Sequence, residues 1–206
     1  MADDDFIRAG AVILNDLLLF NQAVNFLENQ ISPMIQTAVG EFVGDWIQRN
    51  FWTGDADASD SLTDIWLCPT AWQESGDRPF ARFHFARRDD DASDSYEIAD
   101  LLNLGQTDFG FRFAPEHSWF GGKNKWNAFA RNISDLTERV AKAGWINEGK
   151  GVFFRPVSLA VDCRVSAWEN EDWSATLAPL TVVLDSLAAD QKLFDNIIMR
   201  AGPKTA

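Results

Sequence analysis

Two acidic stretches of the chain carry nearly one text. TGDADASDSLTD spans Thr53–Asp64 and RRDDDASDSYE spans Arg87–Glu97, and each holds Ala-Ser-Asp-Ser. Carboxylates on alternate residues are the oxygen donors of calcium loops, which place ligands at positions 1, 3, 5 and 12 and glycine at position 6. Counted from Asp55, the loop reads Asp55, Asp57, Ser59, then Asp60 at the glycine position and Trp66 at the last. Counted from Asp89, it reads Asp89, Asp91, Ser93, Asp94 and finally Asp100. Neither meets the pattern, and both are expected to be solvated hairpin loops with a contact role. The soft ligands Cys68, His84, His117 and Cys163 lie in four separate segments, without the close pairs of structural zinc modules. FGGKN at Phe120–Asn124 resembles the end of a phosphate loop, but Asn124 stands where Ser or Thr should hold magnesium, and the upstream glycine is missing. No cofactor or metal follows from these spacings.

The elements that must position these residues follow from periodicity. A first helix is expected over about Asp5–Gln30, with Leu14, Leu17, Leu18, Val24 and Leu27 on its apolar face. Ser32-Pro33 reads as a cap and first-turn proline, so a second helix carrying Ile35, Val39, Phe42 and Trp46 is expected to fold back as a helical hairpin. From Asn50 to Pro115 the period becomes two. DIWLCP, ARFHFAR and DFGFRFAP are strands, the last with Phe109, Phe111 and Phe113 on one side. A third helix, about Asn124–Ala143, carries Trp126, Phe129, Ile133, Leu136 and Val140. It is followed by one strand, GVFFRPVSL, and C-terminal helices. The fold expected is a single α+β domain over 1–206: a helical hairpin (1–49), an acidic β region (50–122) and a helix, strand and terminal helices (123–206). Its mostly antiparallel sheet should have about four to five strands.

The order helix, three strands, helix, strand is similar to the core of the PD-(D/E)xK nucleases. That resemblance implies a metal-holding Asp in one strand and an acid-x-Lys in the next. Asp64 stands at the first place, but Phe80–Arg87 contains no acid and no Lys, only Arg82, His84 and Arg87. A metal-dependent or degenerate nuclease-like domain is therefore the alternative expectation, with Asp64 and His84 at its centre.

Charge points elsewhere. Of the formal net charge of −13, residues 1–122 hold 21 acids against seven Arg and no Lys, while 123–206 hold ten acids against eleven bases. Residues 55–100 alone carry a net of −8. Such a field repels nucleic acid and steers basic partners. Lys123, Lys125, Arg131, Arg139 and Lys142 are read as a solvent face paired within the helix, such as Asp135 with Arg139. Nine Trp in 206 residues is heavy usage. Trp46 and Trp126 fall on core stripes, whereas Trp52, Trp72, Trp119 and Trp173 lie near turns, where exposed Trp can anchor a partner. The N-terminus MADDDFIRAG lacks the basic region of a secretory leader, and the apolar run AGAVILNDLLLF is short and broken by Asn15-Asp16. A soluble cytoplasmic chain with reduced thiols is expected.

The function expected is non-enzymatic. It is an acidic inhibitor, immunity or adaptor protein that engages a basic protein surface, such as the cationic groove of a nucleic-acid-binding protein, without membrane or nucleic acid. Its contact residues are Asp55, Asp57, Asp60, Asp89, Asp90, Asp91, Asp94, Glu97, Trp72 and Trp119. A structural subunit of a larger complex is the remaining alternative, carried by the apolar face of the first helix.

Overall fold

A computed structural model describes residues 2–73, 78–89 and 96–203. N-terminal helices, a central sheet and C-terminal helices make an α+β fold. The sheet has six strands, every pairing antiparallel, in the order β1-β2-β3-β4-β6-β5. These are β1 (Trp52–Asp55), β2 (Trp66–Pro69), β3 (Ala81–Arg87), β4 (Phe109–Pro115), β5 (Ile146–Gly149) and β6 (Val152–Pro156). Two strands lie beyond the four runs read from the sequence, each with four residues, too few to show alternation: β1, which takes up the start of the first acidic stretch, and β5. Strand β5 pairs with β6 through Gly149-Lys150-Gly151, all at positive φ, where glycine costs least. The Trp126 indole donates to the Lys150 carbonyl at 2.7 Å and fixes that turn.

The helices depart from expectation at Pro33 and at one acid–amide pair. Helix α1 (Ala2–Asn15) ends at Asp16, whose φ of −120° and ψ of 36° are not helical. Asn and Asp side chains compete with the helical ladder, so Asn15-Asp16 is a natural break. The axis turns by 88° there. Helix α2 (Leu17–Phe26) does not stop at Ser32-Pro33. It passes through a π turn, Leu27–Ile31, into α3 (Ser32–Arg49) as one helical run. Pro33 has no N–H for the ladder, and the widened turn absorbs the mismatch. The expected helical hairpin is therefore not formed. Pro179 likewise sits inside α8 (Ser174–Ala201), near its first turns. The third expected helix is two, α5 (Lys123–Ala130) and α6 (Ser134–Lys142), with buried Ile133 keeping the apolar stripe across the break. Two short helices, α4 (Glu97–Leu101) and α7 (Arg164–Asn170), complete the set.

The sheet's core face carries the alternation read from the sequence. Phe83, Phe85, Phe109, Phe111, Phe113 and Phe153 are fully buried, with α8 inserting Phe194 among them. Burying tryptophan requires partners for its indole N–H, and α8 supplies three. Trp46 donates to Asp185 at 2.9 Å, Trp145 to Asp190 at 2.8 Å and Trp72 to Asp195 at 2.6 Å. These aspartates recur every fifth residue of α8. Asp135 meets Arg200 of α8 at 2.8 Å, so the pair with Arg139 expected within α6 gives way to a contact between helices.

Candidate protein-binding surface

The first acidic loop is built by its own carboxylates. Asp55 accepts from the Asp57 amide at 3.0 Å, and Asp57 from the Ser59 amide at 2.9 Å, a succession of Asx turns. The Ser59 hydrogen bonds hold Asp57 below the ordinary carboxylate range. Ala58 is buried. The loop lies against α3 at Gly40, where a Cβ would stand only 2.6 Å from the Ala56 carbonyl oxygen. Asp55, Asp57, Asp60 and Asp64 remain exposed on the far side.

The first loop meets the end of the second acidic stretch. Glu97, the last residue of that stretch, accepts from the Ser61 hydroxyl at 2.7 Å and from the Leu62 amide at 3.1 Å. Glu97 is thus half-buried and spent on joining the two stretches, rather than standing free for a partner. Asp89 is exposed, with its amide donating to Thr107. Asp90, Asp91 and Asp94 lie outside the described residues. Beneath this lobe Asp100 is fully buried. It pairs with Arg87 at 2.8 Å and accepts from the Gln106 and Thr107 amides at 2.8 and 3.2 Å.

An apolar arm adjoins the acidic lobe. Helix α2 has no buried residue, and Leu14 and Leu18 are 72% and 73% exposed. The consecutive residues Leu17, Leu18, Leu19 and Phe20 are all exposed, which places apolar side chains around the first turn of the helix, before Asn21 and Gln22. A turn apolar on every side is normally enclosed. The arm's base is tied down by Phe26 edge-on to Trp168 at 5.5 Å and by the Tyr96 hydroxyl donating to Glu28 at 3.0 Å. Tyr96 precedes Glu97, so the arm springs from the place where the two acidic stretches join. A groove of about 670 Å³ opens between α3 and the start of α8. Met34, Ala38, Phe42 and Leu177 contribute apolar lining, and every charged residue that lines it is acidic: Glu41, Asp45, Glu171 and Asp172.

The two tryptophans chosen as anchors stand apart from this surface. Trp72 is a correction: it is only 3% exposed, because its ring packs on Phe83 and Phe113 while its N–H is engaged by Asp195. Trp173 is buried as well. Trp119 is half-buried and lies edge-on to Phe80 at 5.2 Å. Sequence reading chose tryptophans as the contact residues and gave the leucines of the first helix only to the structural-subunit alternative. Their signal was the unbroken Leu-Leu-Leu-Phe, which a one-sided helix does not need.

The residues of the nuclease-like and zinc expectations are dispersed. Among the described residues no three His, Cys, Asp or Glu side chains are grouped to hold a metal. Asp64 lies on an exposed turn. Burial pushes the Cys68 thiol up to about 12, and its low reactivity follows. His84 accepts from the Arg82 Nε at 2.8 Å. Burial, then the charges of Arg82 and Arg112, lower its pKa to about 4. Because the folded value lies below the ordinary 6.5, protonation opposes folding. Stability from this residue is complete above about 6.5 and is lost as pH falls toward about 4, on the order of 3 kcal/mol in all. Urea midpoints of the wild type and His84→Gln at neutral and at mildly acid pH check this. The wild type is expected to lose more stability on acidification, and parallel losses would refute the assignment.

No helix by itself is long and apolar enough to cross a membrane among the described residues. No family model matches the sequence, and neither curated proteins nor solved structures yield a match.

Proposed function

We propose that this chain is a protein-binding protein whose helical arm and adjoining acidic lobe together hold a basic, amphipathic partner. The observation that carries the reading is the arm itself: an apolar helix that buries none of its residues against its own chain. Covering Leu14, Leu18 and Leu19 is worth roughly 5–9 kcal/mol before the costs of association. The sign of the partner's charge comes from the surroundings. Residues 55–100 carry a net of −8, and the charged residues lining the groove beside α3 are all carboxylates. Apolar contact supplies affinity, while the acidic lobe selects and steers. The cationic groove of a nucleic-acid-binding protein has the required chemistry, with Asp60 and Asp89 standing where phosphates would.

The test compares three full-length proteins: wild type, an arm variant (Leu14→Asn, Leu18→Asn, Leu19→Asn) and an acid variant (Asp60→Asn, Asp89→Asn). Each is passed over bacterial lysate at low and high salt, with cross-linking and mass spectrometry of what is retained. The expected result is a basic protein cross-linked to both the arm and the acidic lobe. Both variants should weaken its retention about tenfold or more without lowering the melting temperature, and high salt should release it. Light scattering and vesicle flotation supply the opposing outcomes. A stable dimer abolished in the arm variant would make the occupant a second copy. Flotation lost in the arm variant would make it a lipid surface. Either result overturns the reading, as does capture indifferent to both sets of substitutions.

A further inference from the structure

The core face of the sheet is apolar, but the opposite face is not. Strand register aligns a row across it: Asp55 opposite Trp66, Trp66 opposite His84, His84 opposite Arg112, and Arg112 opposite Phe154. Directly opposed residues of antiparallel strands share a face. Arg82, two residues before His84 on the same strand, joins this face and places its guanidinium 5.6 Å from the Trp66 ring centre. A cavity of about 240 Å³ opens there, with Trp66, Arg78, Arg82, His84 and Glu116 in its lining.

The arginines of this region are used unevenly. Arg87 pairs with Asp100, Arg88 with Asp108 and Arg112 with Glu148. Arg78 and Arg82 have no carboxylate in ion-pair contact among the described residues, although they stand in the acidic half of the chain. Glu116, the carboxylate of the same cavity, accepts from the Ser118 amide and hydroxyl at 3.3 and 2.9 Å. Among the described residues, two guanidinium groups therefore face one carboxylate, a net positive charge in the lining. Arg82 is also held in place: its Nε is spent on His84 and its plane lies over Trp66, so both terminal nitrogens are left to donate. Because His84 accepts at Nε2, its proton lies on Nδ1, and the ring is a neutral donor.

We propose that this cavity is an oxyanion site, in which Arg82 and Arg78 supply charge and a planar fork to a carboxylate or phosphate group beside the neutral His84 ring. The fork matches the oxygens of either anion. An anion held here does not require a partner on the arm.

The test is an NMR titration of the imidazole resonances with inorganic phosphate and, separately, acetate, at ionic strength fixed with sodium chloride. The chain has two histidines, and His117, placed 6.2 Å from the Trp126 ring, is the internal control. His84 is expected to shift saturably while His117 does not. Arg82→Gln should weaken the response at least tenfold, and Arg78→Gln, at an exposed position, should weaken it severalfold with the fold intact. A response to phosphate alone assigns the site to phosphates, and a response to both anions assigns it to carboxylates as well. Absence of saturation, equal movement of the two histidines, or an unchanged affinity in folded Arg82→Gln and Arg78→Gln proteins would overturn the proposal.

Discussion

Replacing Asp100 with alanine is expected to destabilise the protein by about 3–5 kcal/mol, because it strands a charge and two amides at once. The carboxylate is fully buried and has Arg87 on one oxygen, with the Gln106 and Thr107 amides on the other. Removing one member of a buried ion pair leaves the other desolvated and uncompensated, and that penalty exceeds the net worth of the pair. Gly105 packs so tightly on Asp100 that a Cβ there would collide with the carboxylate. Asp100→Asn retains an acceptor for the amides and loses the charge, so it should cost less, about 2 kcal/mol. Urea unfolding of the three proteins checks the ranking. An alanine variant within about 1 kcal/mol of wild type would show that the pair contributes little. Asp100 also anchors the end of β3 to α4 and the 103–108 loop, so its loss should loosen the ground on which the second acidic loop stands.

The second large effect is expected at Phe194, where alanine should cost about 3–5 kcal/mol. Phe194 is fully buried, and its ring centre lies 4.6 Å from Phe113, 4.8 Å from Trp145, 5.1 Å from Phe83 and 6.0 Å from Phe153. It is the point at which α8 enters the sheet, so its neighbours are rigid rings on three strands and on the segment before β5. They cannot collapse into the space a truncated side chain leaves, which puts the cost in the upper range for a phenylalanine. Phe194→Leu keeps most of the volume and should lose less than half as much. The midpoint of urea unfolding should fall with an unchanged slope. A cost for alanine no larger than that for leucine would mean that the core repacks around this site.

Both effects rest on residues whose importance was unevenly legible. Phe109, Phe111 and Phe113 declared their face by alternation, and β3 and β4 run over the stretches where the period is two. The spacing of Ile35, Val39, Phe42 and Trp46 marked the inner side of α3 in the same way, and all but the half-buried Phe42 are buried. Phe194 showed only as one apolar position in a terminal helix, and Asp100 only as the twelfth residue of a failed calcium loop. The surface was legible in parts as well. The acidic text of both loops and the apolar arm could be read directly, whereas their junction through Glu97 and the Tyr96–Glu28 contact could not.

The division has a physical cause. Periodicity, breakers and charge are local properties, so the chain by itself determined the α+β class, the buried faces of its long strands and the acid surplus of its first half. Three features depend on contacts between distant residues: the three tryptophan–aspartate bonds along α8, the register that sets Trp66, His84 and Arg112 in one row, and the exposure of the arm. An apolar helix reads the same whether a core covers it or solvent surrounds it. Only the tertiary structure decided that Trp72 is inside and Leu18 outside, because burial depends on what the rest of the chain places against each residue.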